Sequence, residues 1–98
     1  MDLLFGIGYQ DDIDAAKKLI KSLIDADPRI DADPEPLVAV SELAASSVNL
    51  TVRVWVNAED RSSVRYDLLE AVKHSFDANG ISIPYPQSDV RLIQPTAQ

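Results

Sequence analysis

Apolar residues alternate strictly along residues 48–56. Val48, Leu50, Val52, Val54 and Val56 fall on one side of an extended chain, and Asn49, Thr51, Arg53 and Trp55 fall on the other. This pattern predicts a half-buried strand. The apolar run Leu37–Leu43 precedes it, separated by the short turn Ala44-Ala45-Ser46-Ser47, so the two strands form an antiparallel hairpin. An earlier strand is expected over Leu3–Tyr9, where Gly6 and Gly8 mark a bulge or a close approach of backbone. The period then changes. Ile13, Ala16, Ile20, Leu23 and Ile24 recur at helical spacing behind Asp11 and Asp12, either of which can cap a helix. That helix should end before Pro28, because the residue ahead of a proline disfavours helical angles. A second helix carries Val64, Leu68, Leu69, Val72 and Phe76 on one face. Asp60, Ser62 or Ser63 is its expected cap, and Asn79-Gly80 its stop. A last strand is expected over Asp89–Ile93.

The order is strand, helix, strand, strand, helix, strand. This predicts an α+β fold of the split-βαβ, or ferredoxin-like, kind: a four-stranded antiparallel sheet with two helices on one face. A single domain over residues 1–93 and a flexible tail over 94–98 are expected. The connection from Asp25 to Pro36 is polar and proline-rich, with a short echo in Asp25-Ala26-Asp27-Pro28 and Asp31-Ala32-Asp33-Pro34. The sheet face away from the helices would carry Asn49, Thr51, Arg53 and Trp55, leaving a tryptophan on a surface that would otherwise be solvated.

Charge and composition narrow the function classes. The chain has 98 residues, 9 Lys+Arg against 16 Asp+Glu, and a net charge of −7. Nucleic-acid binding needs a basic footprint, and none is present. Cysteine is absent and histidine occurs once, so neither a disulfide framework nor a multi-histidine metal site is expected. No stretch approaches the ~20 apolar residues that a membrane helix requires. The start lacks the basic end and cleavage site of a signal peptide. The chain reads as soluble and cytoplasmic.

Four motifs bear on chemistry. Gly6-Ile7-Gly8 ahead of a helix suggests a phosphate loop, but it lacks a third glycine and a Lys-Ser/Thr pair, and Asp11 and Asp12 would repel the anion. The spacing of Asp25, Asp27, Asp31 and Asp33 suggests a calcium loop, but it lacks the turn glycine and terminal Glu, and Asp-Pro pairs are ordinary turn formers. His74 lies one position off the apolar stripe of the second helix with no nucleophile clearly paired to it. Trp55 on a sheet strand suggests RNA recognition, which would need more aromatics and positive charge. No catalytic residue, metal or cofactor is expected, and the chain does not read as an enzyme.

Three groups of residues carry a family resemblance. They are Ser46-Ser47-Val48-Asn49-Leu50 with Val52-Arg53-Val54-Trp55; Asp67-Leu68-Leu69-Glu70 with Lys73, Phe76-Asp77 and Gly80-Ile81; and Ile83-Pro84-Tyr85-Pro86-Gln87 with Asp89-Val90. Together they resemble the C-terminal cytoplasmic domain of the small-conductance mechanosensitive channel family. Gly8-Tyr9, Asp12-Ile13-Asp14, Arg29-Ile30, Asp33-Pro34 and Glu42-Leu43 agree with this, so the resemblance covers nearly the whole chain. It implies a parent channel that opens under membrane tension and releases solutes in hypo-osmotic shock. In that parent, a heptamer of these domains helps to form a cytoplasmic cage with side portals. This chain lacks the pore and could not conduct alone. The implied partners are its own channel subunits.

The chain departs from the family pattern at Asp31, Thr51 and Arg61, where apolar or aromatic residues are common. Each change removes apolar surface, so the isolated domain is expected to be monomeric. The candidate interface is Arg53, Trp55, Tyr85, Asp31, Thr51 and Arg61. Trp55 has two compatible readings: packing under the C-terminal segment near Tyr85, or a subunit contact of the kind in which Trp and Arg are enriched. The alternative function is a free-standing ligand-binding or regulatory module of the same fold.

Overall fold

The structure is a computed structural model and describes residues 1–84. Its elements are β1 (Asp2–Ile7), α1 (Ile13–Asp25), β2 (Leu37–Leu43), β3 (Val48–Arg53) and α2 (Arg61–Ala78), the last entered through a 3-10 turn over Ala58–Asp60. The strands form an antiparallel sheet in the order β1-β3-β2. The fold is α+β, with two helices and three antiparallel strands among the described residues. The fourth strand expected over Asp89–Ile93, and the tail after it, lie outside them.

Register explains which residues make the core. Leu3 and Val38 both pair with Val52, and Phe5 and Val40 both pair with Leu50, so these residues share one face. Leu50, Val52 and Val54 are fully buried on that face. Against them pack Ala16, Ile20 and Ile24 of α1 and Val64, Leu68, Val72 and Phe76 of α2, in one apolar cluster. The alternation read from residues 48–54 and the two helical stripes therefore meet as expected. Burying side chains of this size contributes about 1.5–3 kcal/mol each.

A bulge in β2 adjusts the phase. Val40 pairs with Leu50 and Glu42 with Asn49, leaving Ser41 as an extra residue. The extra residue returns Leu43 to the face of Val48, although at this sheet edge it stays 69% exposed.

Two expectations are corrected. The strand expected over 48–56 ends at Arg53. Val54 N–H donates to Met1 O, and the Met1 N donates back to Val54 O, both at 3.0 Å. The chain turns instead to the α1–β2 connection, where Asp31 N–H donates to Trp55 O and Val56 bridges Ile30. The second correction concerns the cap of α2. Asp60 occupies the cap position but is already helical (φ −97°, ψ −4°), and its side chain makes no capping hydrogen bond. The 3-10 turn feeds directly into the helix, so the residue just before α2 is not extended, as a cap would be. At the other end the expected stop holds: Gly80 takes φ +72°, an angle that glycine adopts without strain.

Candidate functional site

The five described candidate residues gather around the far end of β3. Thr51 and Arg53 lie on the sheet face away from the helices. Thr51 sits between Leu4 and Ala39, and Arg53 between Asp2 and Leu37. That face is mixed rather than polar: Leu4 is 62% exposed and Leu37 is exposed as well. The Thr51 hydroxyl donates to Ser41 Oγ at 2.8 Å. Arg53 makes a bidentate pair with Asp2, Nε to Oδ1 at 2.8 Å and Nη2 to Oδ2 at 3.1 Å. The guanidinium holds the Asp2 carboxyl below the usual carboxylate range, and the carboxylate raises Arg53 in turn.

Trp55 has left the strand. It is half-buried and lines a cleft of about 230 Å³ with Met1, Val56, Ala58 and Arg61. Met1, Ala58 and Arg61 also line an adjoining cleft of about 440 Å³, together with Asp2, Ser62 and Arg65. Asp31 is exposed and touches this group only through its backbone bond to Trp55. Asp31, Trp55 and Arg61 are thus brought into sequence around one end of the domain, while Thr51 and Arg53 lie on the adjacent sheet face. Tyr85 lies outside the described residues.

Asp11, Asp27 and His74 of the other motifs each have a side-chain partner. Gly8 N–H donates to Asp11 Oδ2 at 2.7 Å, so the carboxylate occupies the donor that a phosphate would need. The same oxygen accepts from Ser82 N–H at 3.1 Å and Ser82 Oγ at 2.7 Å. A Cβ at Gly8 would lie 2.7 Å from Ser82 Oγ, so a larger residue there would displace that hydroxyl from Asp11. Asp27 binds Arg29, with Oδ1 accepting from the backbone N–H and Nε and Oδ2 from Nη2. Arg29 reaches on to Asp67 of α2 at 3.1 Å. Hydrogen bonding to Arg29 lowers the Asp27 carboxyl and raises the guanidinium. Among the described residues no three metal-ligating side chains converge. His74 is exposed and faces Glu70 across 3.5 Å.

Sequence reasoning missed Arg65, the Asp11–Ser82 contact and the Arg29–Asp67 pair. Arg65 carried a readable signal: it stands four residues after Arg61 on the predicted helix. The two long-range contacts had none, since they depend on how loops and helices meet in space.

Residues 2–83 match the family model described as mechanosensitive ion channel MscS, C-terminal. An MscS family protein of Synechocystis is 44% identical over 97% of this chain and 32% of its own length. The small-conductance mechanosensitive channel of Edwardsiella ictaluri is 43% identical over 96% of the chain and 33% of its own. The crystal structure of the Helicobacter pylori MscS in its closed state superposes with a TM-score of 0.82 at 35% identity, covering 95% of this chain and 37% of that one. The chain therefore spans about a third of the length of these relatives. No helix among the described residues is long and apolar enough to cross a membrane. From the resemblance in its residues, the family match and the shared fold together, the chain belongs to the MscS mechanosensitive ion channel family and carries its C-terminal domain.

Proposed function

We propose that this domain forms part of the wall of a solute vestibule on the cytoplasmic side of a tension-gated channel, and that it helps the subunits assemble. The observation that carries this reading is the family match over residues 2–83, with 95% of the chain superposing on a channel of the same family. In the assembled parent the −7 charge of each copy would be repeated around a ring and would bias which ions approach. Neighbouring copies meet at the end of the sheet where Thr51, Arg53, Trp55, Asp31 and Arg61 lie. Three of these residues, Asp31, Thr51 and Arg61, place polar groups on that surface, so the domain alone stays monomeric and assembly depends on the rest of the parent chain.

A graft tests this. The C-terminal domain of the Helicobacter pylori channel is replaced by this chain, and the product is examined by sedimentation and by patch recording under tension. The expected result is a heptamer that gates, while the 98-residue chain alone sediments as a monomer. A graft that fails to assemble overturns the assembly role. A stable heptamer of the chain alone overturns the dependence on the parent.

A further inference from the structure

Arg61 and Arg65 stand apart from the other arginines described. Arg29 is paired with Asp27 and Asp67, and Arg53 with Asp2. Arg61 and Arg65 make no ion pair among the described residues, although the chain has nearly twice as many acidic as basic side chains. They are four residues apart on α2, so two like charges face each other on one helix surface, an unfavourable spacing. Arg61 opens the helix, where its dipole disfavours cations, and Arg65 stands one turn further on. The like-charge rule and, at Arg61, the dipole rule are thus broken at one place, and both arginines line the same cleft of about 440 Å³ with Ser62. That volume falls in the range of small-molecule sites. The one carboxylate in the lining, Asp2, is already held by Arg53. Glu59 and Asp60 precede the helix and do not line the cleft. The cleft across Arg61 from it is bounded by Met1, Trp55 and Val56, which gives an apolar and aromatic shelf beside the two cations.

We infer that this double cleft binds a small phosphate monoester, with the phosphoryl group between Arg61 and Arg65 and the organic part against Trp55. A phosphoryl group carries close to two negative charges near neutral pH, matching two guanidiniums whose planar forks suit its oxygens. The site shares Arg61 and Trp55 with the surface where neighbouring copies are proposed to meet; it is read on the chain alone, so its failure leaves the vestibule role untouched.

The test is a titration of the isotopically labelled 98-residue chain followed by nuclear magnetic resonance, with sodium chloride at equal ionic strength as the reference. Inorganic phosphate is expected to give saturable shifts at the amides of Ala58, Arg61, Ser62 and Arg65. Phenyl phosphate is expected to bind more tightly and to change the fluorescence of Trp55, the only tryptophan. Arg61→Gln and Arg65→Gln should each weaken phosphate binding by about tenfold or more, the scale of one lost charged hydrogen-bond partner. Arg65→Lys should recover part of the loss. The melting temperature of the variants without phosphate reports that they are folded. Shifts equal to those in chloride, or an affinity in both glutamine variants unchanged from that of the parent chain, overturn the site. Equal affinity for the two phosphates with unchanged fluorescence overturns the place given to Trp55.

Discussion

α1 and α2 belong to one core but begin in opposite ways. α1 starts on an extended Asp12 whose carboxylate accepts from Ala15 N–H at 3.1 Å, with Asp14 in the first turn to complement the dipole. Immediately before it, Asp11 fastens the loop after β1 to Ser82 beyond the end of α2. α2 starts on a 3-10 turn without a side-chain cap, has no acidic residue in its first turn, and presents Arg61 there with Arg65 one turn on. The first start follows every local rule for stability. The second is held in place by Val64, Leu68, Val72 and Phe76, all buried, and its exposed end is therefore free to carry groups that do not help the helix form. Local consistency marks where the fold is specified, and its failure marks where function can reside.

The sharpest way to break the comparison is at Asp11. Its Oδ2 serves three donors, two of them backbone N–H groups. Asp11→Ala leaves those donors to water or without a partner, and should cost about 2 kcal/mol in urea unfolding. Asp11→Asn keeps one acceptor oxygen and should recover part of this. A loss below about 0.5 kcal/mol, the scale of an ordinary surface change, would mean that the contact does not hold the loop to Ser82.

Asp12→Ala comes next. It removes a single capping bond on an exposed helix end and should cost about 1 kcal/mol, again measured by urea. Restoring a hydroxyl cap with Asp12→Ser should return most of it. Equal stability of the alanine variant would place α1 and α2 in the same class.

These two residues also mark how far the sequence could be read. The pair Asp11-Asp12 announces a helix start, and the apolar stripe after it fixes which face is buried, because both signals act over one or two turns. Which aspartate caps depends only on the backbone at residue 12, yet the role of Asp11 depends on Ser82, whose position follows from the packing of α2. The alternation of residues 48–54 was legible for the same local reason. The end of β3 was not, since after Val54 the chain pairs with the distant α1–β2 connection. Of the candidate surface, Arg53, Trp55 and Arg61 were visible as residue types out of place. The clefts that connect Trp55 with Arg61 and Arg65 arise only when the ends of β1, β3 and α2 come together.

At α2 the effects should be smaller and of opposite sign. Arg65→Gln relieves the repulsion with Arg61 and removes a cation from the start of the helix. The phosphate-free chain should become more stable by about 0.2–0.5 kcal/mol, the size of a like-charge pair on a helix. Calorimetry in low salt checks this, and the gain should shrink in high salt because exposed charges are screened. A loss of stability would show that Arg65 has a partner that holds the helix, and the two helix starts would then differ less than their geometry suggests.

The smallest effect is expected at Asn57. It is the extended residue before the 3-10 turn (φ −62°, ψ 146°), so its backbone is poised as a cap, yet its side chain makes no capping bond. Asparagine at a working cap contributes about 1 kcal/mol. Here Asn57→Ala removes no hydrogen bond, and it should leave stability within about 0.5 kcal/mol of the parent, as for an ordinary surface change. The paired measurement with Asp12→Ala matters more than either value alone, since both replace a polar residue at the extended entry to a helix. If Asn57→Ala costs as much as Asp12→Ala, α2 is capped after all, and its two arginines sit on an ordinary, stabilised helix start.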